Sequence, residues 1–135
     1  MTLEFLNLAF AVALVVIIWI VQLVHYPTFR FVDPSKFIAF HNFHTNNITY
    51  VVAPLMIAEL IVAGLLVFKT SSAFTIVNIG LVVATWVLTF AISVPLHNKL
   101  AEAGFDEKVI NQLCKTNWLR TGVWTLRFFA AVYAL

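Results

Sequence analysis

Four long apolar runs, Leu3–His25, Ile48–Phe68, Ala73–Leu96 and Trp118–Leu135, take up most of this 135-residue chain. A helix needs about 20 mostly apolar residues to cross a bilayer, and each run approaches or reaches that length. Charged residues make up 10% of the chain, against about 25% in soluble domains. Backbone groups in lipid must be satisfied within the segment, which favours helices. Residues 1–135 are therefore expected to form one all-α membrane domain, a polytopic four-helix bundle running up-down-up-down. The first run reads as a retained helix and not a cleaved signal. Its apolar core Leu8–Val21 has no basic stretch before it, runs on into Gln22 and His25, and meets no small-residue cleavage site. The single Cys114 can form no internal disulfide.

Charge sets the expected orientation. The first and third loops carry Arg30, Lys36, Lys99, Lys108 and Lys115, with Arg120 at the start of the fourth run, whereas the other side carries Lys69. Lysine and arginine favour the cytoplasmic side, so loops one and three are expected there and both termini outside. The net charge of +2 is then largely a topology signal. A nucleic-acid partner would need a concentrated basic patch on a soluble surface, and the sequence offers none. The expected surroundings are the lipid bilayer.

Turn and cap residues refine the helices. Tyr26-Pro27 is expected to end helix one, leaving Thr28–Val32 as a connector. Asp33-Pro34 reads as an N-cap followed by proline at the first helical position. Helix two would then start at Pro34, well before its apolar run, with Lys36–Asn47 covering the bundle mouth and Pro54 kinking it. Helix three is expected to end around Val94–Asn98, with a short helical piece stopping at Gly104. Asp106 caps a fourth helix reaching Leu135. Helices two and four are thus extended on the cytoplasmic side.

All four histidines, His25, His41, His44 and His97, fall at the ends of apolar runs, and the threading puts them on one face. Neutral imidazole suits zinc, copper, iron and nickel. The four are candidate metal ligands, and a transition metal or a haem is the cofactor they would suit. Interfacial packing without any cofactor is the competing reading. Asn98, Asn117 and Arg120 reach the same level. Glu59 and Arg127 lie deeper in apolar runs, where charges usually face inward and pair. Arg120, Arg127, Glu59 and Asn98 are the candidate catalytic residues. Gln22, Asn78, Thr85 and Thr89 either line the same interior or bond between helices. Trp19, Tyr26, Tyr50, Trp118 and Tyr133 read as an interfacial belt, and Trp86 and Trp124 as cavity lining.

The segments Val94-Pro95-Leu96-His97-Asn98-Lys99-Leu100 and Asn117-Trp118-Leu119-Arg120-Thr121 resemble a family pattern. It is that of the small four-helix membrane proteins grouped with the fungal anthrone oxygenases, which are largely of unknown function in bacteria. Pro95, Asn98, Arg120 and Thr121 match, so the resemblance covers the C-terminal third and the general topology. It implies cofactor-independent oxidation of an aromatic, lipophilic substrate, and a bacterial inner membrane as the location. The architecture is also similar to small haem-binding protoporphyrinogen oxidases, from which no residue carries over. The expected function is a membrane oxidoreductase or oxygenase with a His/Arg-lined site at the cytoplasmic mouth. The alternatives are a non-catalytic small-solute binder or transporter, and an accessory subunit of a membrane complex. No oligomeric state is read from the sequence.

Overall fold

A computed structural model describes residues 2–133 as four helices, with no strand among them. They are α1 (Leu3–Phe31), α2 (Pro34–Lys69), α3 (Ala73–Ala103) and α4 (Glu107–Tyr133). Three of them, α1, α2 and α3, are long and apolar enough to cross a membrane. The sequence led us to expect four such segments. Over its described residues α4 falls short because it carries Asn117, Arg120, Thr121 and Arg127, all turned into the bundle and buried. The last residues of the expected fourth run, 134–135, lie outside the described part.

The helices form a ring: α1 packs on α2 and α4, and α3 packs on the same two. At one end Lys69 of α2 meets Glu4 of α1 at 2.9 Å, and Asn78 of α3 donates to Asn7 of α1 at 3.2 Å. At the other end α1, α2 and α3 meet around His97, through Tyr26 and His41. The apolar core includes Leu14, Ile18, Phe29, Phe37, Met56, Leu100, Leu113 and Trp124. Lipid is as apolar as these side chains, so helix association in a bilayer depends on close packing and interhelical hydrogen bonds. Within a bilayer the buried polar contacts would carry much of the specificity of this ring.

The caps are those the sequence indicated. Asp33 accepts from the Ser35 N–H at 2.8 Å, and Asp106 accepts from Lys108 and Val109 at 2.9 and 3.2 Å. Gly104 ends α3 at φ 82°. Two boundaries differ. Helix α1 does not stop at Pro27 but runs to Phe31, and α3 continues unbroken past Pro95 to Ala103. The continuous helical part of α2, Phe37–Lys69, has 33 residues with Pro54 inside it. At ~1.5 Å per residue that is roughly 50 Å, against a hydrocarbon core of about 30 Å.

Candidate functional site

Pro27 and Pro95 are passed by the same device. Immediately before Pro27 the chain makes a π-turn over Val21–His25, and immediately before Pro95 another over Thr89–Ser93. Proline lacks the N–H that would bond four residues back, and its ring clashes with that carbonyl. The wider π-turn, with Tyr26 N–H bonding Val21 and Val94 N–H bonding Thr89, opens room for the ring. It also inserts a residue and re-aims the side chains beyond it. Gln22 within the first π-turn, Tyr26 just beyond it and Ser93 within the second are buried.

The re-aimed Tyr26 reaches the histidines. Its hydroxyl lies 3.0 Å from His97 Nε2, and His97 Nδ1 lies 2.9 Å from His41 Nε2. A Tyr26 hydroxyl that donates to Nε2 leaves the His97 proton on Nδ1, where it donates in turn to His41. His41 is 1% exposed and stacks on Phe37 with ring centres 5.9 Å apart. His44 packs between His25 and Phe29, each at 5.2 Å between ring centres.

Beside this cluster lies a cavity of about 340 Å³ among all four helices. Its walls are mostly apolar, including Leu14, Ile18, Val52, Met56, Trp86 and Trp124. Its polar end is formed by Tyr26, His44, His97, Asn98, Ser93 and Arg120. The lining residues that are exposed, Thr49, Phe90 and Asn98, belong to α2 and α3, so the mouth opens between those helices.

Arg120 stands at the polar end, held by both π-turns. It donates to Ser93 Oγ and Asn117 Oδ1, each at 3.2 Å, and its guanidinium lies 5.0 Å over the Trp124 ring. Asn117 in turn donates to Gln22 Oε1 at 3.0 Å, and Gln22 donates to the Cys114 carbonyl at 3.0 Å. Gln22 and Ser93 thus brace one guanidinium from opposite helices.

Deeper, a second polar group is fully enclosed. Glu59 and Arg127, both 0% exposed, approach to 3.0 Å between Oε1 and Nε. The Nε hydrogen is not aimed at that oxygen, so the contact is an ion pair and not a directed hydrogen bond. Arg127 also donates to the Asn7 carbonyl at 3.0 Å and to Asn7 Oδ1 at 2.7 Å. The indole of Trp124 leans on Glu59 Oε2 at 3.5 Å. Trp124 therefore separates this group from the cavity.

The eight candidate residues divide accordingly. Arg120, Asn98, His44 and His97 line the cavity. His41 touches it through His97, and His25 sits half-buried behind His44. Glu59 and Arg127 lie behind Trp124 and do not line it. Among the described residues no group of three or more His, Cys, Asp or Glu side chains is placed to hold a metal ion. Both nitrogens of His97 are engaged, one with Tyr26 and one with His41. Of the polar residues, Gln22 and Asn78 bond between helices, Thr85 and Thr89 bond their own helix, and Thr89 also lines the cavity. Tyr26, read as an interfacial residue, is buried at 4% exposure and belongs to the site. Asn7 also emerges from the structure. A Tyr-Pro pair directly after Gln22 and His25 was the available signal for Tyr26. No family model, curated protein or solved structure matches the chain.

Proposed function

We propose that the chain is an integral membrane protein, threaded up-down-up-down, whose cavity binds a lipophilic small molecule by a hydrogen-bonding head group. The single observation that carries this is an apolar cavity of about 340 Å³ closed at one end by Arg120, Tyr26 and His97. Concave, mostly apolar spaces with a few convergent polar groups are the usual form of a small-molecule site. The mouth between α2 and α3 faces the hydrocarbon layer in this threading, so a ligand would enter from the bilayer. Tyr26 and His97 are hydrogen-bonded and placed to exchange a proton with the head group. The enclosed group of Glu59, Arg127, Asn7 and Asn78 fills the far half of the bundle, which supports a closed pocket over a transport path.

A fluorescence titration of the detergent-purified protein tests this. Trp86 and Trp124 line the cavity, so 2-naphthol should quench tryptophan emission saturably. Ala53→Trp, which fills the space just inside the mouth, should abolish saturation. Equal binding by that variant would refute the pocket. The aromatic walls Trp86, Phe90 and Trp124 favour a second reading, oxidation of a fused-ring enol by dioxygen. Uptake of dioxygen on adding such an enol, lost in Arg120→Gln, is the expected result, and an unchanged rate in that variant would remove it.

A further inference from the structure

The two buried arginines of α4 differ in one respect that bears on the ligand. Arg127 is matched by Glu59. Arg120 is 7% exposed, and among the described residues it has no carboxylate within ion-pair distance. Its hydrogen-bond partners, Ser93 and Asn117, and the Trp124 ring beneath it are all neutral. Its Nε has no partner at all. The indole N–H of Trp86, another cavity-lining residue, is likewise buried without a partner. The remaining titratable groups facing the cavity are Tyr26, His44 and His97, none of which is acidic enough to balance a guanidinium at neutral pH. A buried cation is costly unless it is paired and hydrogen-bonded. The site therefore presents one uncompensated positive charge at the end of an apolar cavity.

We infer that the cavity takes a lipophilic monoanion, its single negative oxygen group seated on Arg120 and its apolar body lying along Val52, Met56 and Trp86. This rests on the pocket reading and adds the charge of the ligand. A carboxylate would meet the guanidinium through short charge-assisted hydrogen bonds. One unmatched arginine calls for one negative charge. Gln22, through Asn117, and Ser93 hold the guanidinium in place before the ligand arrives, which lowers the cost of ordering it.

Three probes of one shape and different charge test the inference on the full chain in mild detergent. They are 2-naphthoate, 2-naphthamide and 2-naphthylmethylammonium, titrated against tryptophan emission. Naphthoate should bind about ten-fold or more tighter than naphthamide, and the ammonium should not bind. Arg120→Gln should bring naphthoate down to the level of naphthamide while leaving naphthamide in place. Equal binding of naphthoate and naphthamide to the unaltered protein overturns the charge inference alone, whatever the variant does. Binding of none of the three overturns the pocket reading and this inference together. An acyl chain and an aromatic acid share the required chemistry, so palmitate is added as competitor. Displacement of naphthoate by palmitate supports the anion site and points to an acyl ligand. Failure of palmitate to displace bound naphthoate supports the same site with an aromatic ligand.

Discussion

Arg120 and Arg127 lie two turns apart on one helix and show how a residue's partners decide its role. Arg127 is locked between Glu59 and Asn7, in a space with no exposure to the cavity, so its work is structural. Breaking one side of such a pair leaves an unmatched buried charge. Glu59→Leu alone should destabilise the protein by about 3–5 kcal/mol, whereas Glu59→Leu with Arg127→Met should recover most of the loss. Reversible unfolding in mixed detergent measures both, and a double variant as unstable as the single one would contradict the assignment. The pair was legible in the sequence, because a charge in the middle of an apolar run has few ways to exist except facing inward with a partner. Asn7 was not legible, since an asparagine near the start of a helix looks like an ordinary end residue. Tyr26 was misplaced for a related reason. Tyrosine beside a proline at the end of a run has the composition of an interfacial residue, and its burial depends on a turn that composition does not reveal.

That turn belongs to the helix as an element. The proline rule correctly marked Pro27 and Pro95 as special positions, but ending the helix is only one of the responses available to the chain. Another is the π-turn, which keeps the helix going and rotates it, and α1 and α3 both take it at the same interval before their prolines. The caps, by contrast, are local chemistry and could be read directly. Gly104 sits at φ 82°, ψ −148°, a region nearly closed to side chains. Gly104→Ala should cost about 1–3 kcal/mol through backbone strain. A Cβ there would meet Ile38 at an ordinary 3.5 Å, so crowding adds little. Thermal unfolding should show the loss, and an unchanged midpoint would mean that the α3–α4 turn relaxes freely. At the start of α2, the Ser35 hydroxyl and N–H hold the Asp33 carboxyl below its ordinary pKa. A lowered folded value means the cap's contribution is fully present above the ordinary carboxylate value of about 4 and is lost as pH falls through the lowered one. The protection factor of the Ser35 amide should fall across that acid range in the native protein and stay flat in Asp33→Ala. A flat native profile would show that the carboxylate does not support the cap.

For the molecule as a whole, the ring of helices brings Tyr26, His41, His44, His97 and Arg120 to one end and Glu4, Asn7, Lys69 and Asn78 towards the other. The loops at the first end and the helical pieces beside them carry Arg30, Lys36, Lys99, Lys108 and Lys115, against Lys69 at the second. Arg120 no longer counts among these topology charges. It is buried and bonded inside the bundle, yet the imbalance survives its removal. The first end should therefore face the cytoplasm, placing the polar end of the cavity on that side and its mouth in the inner half of the bilayer. Single cysteines introduced at the exposed positions Ser35, Glu102 and Ser71, in a chain with Cys114→Ala, report the sidedness. A membrane-impermeant maleimide should label Ser71→Cys in intact cells and label Ser35→Cys and Glu102→Cys only after permeabilisation. The reverse pattern would invert the orientation while leaving the cavity as described. Labelling of all three in intact cells would argue against membrane threading itself. The distinction matters for the ligand. If the first end faces inward, a lipophilic monoanion bound at Arg120 would be drawn from the inner leaflet, where the lipid-facing gap between Thr49 and Phe90 would meet it.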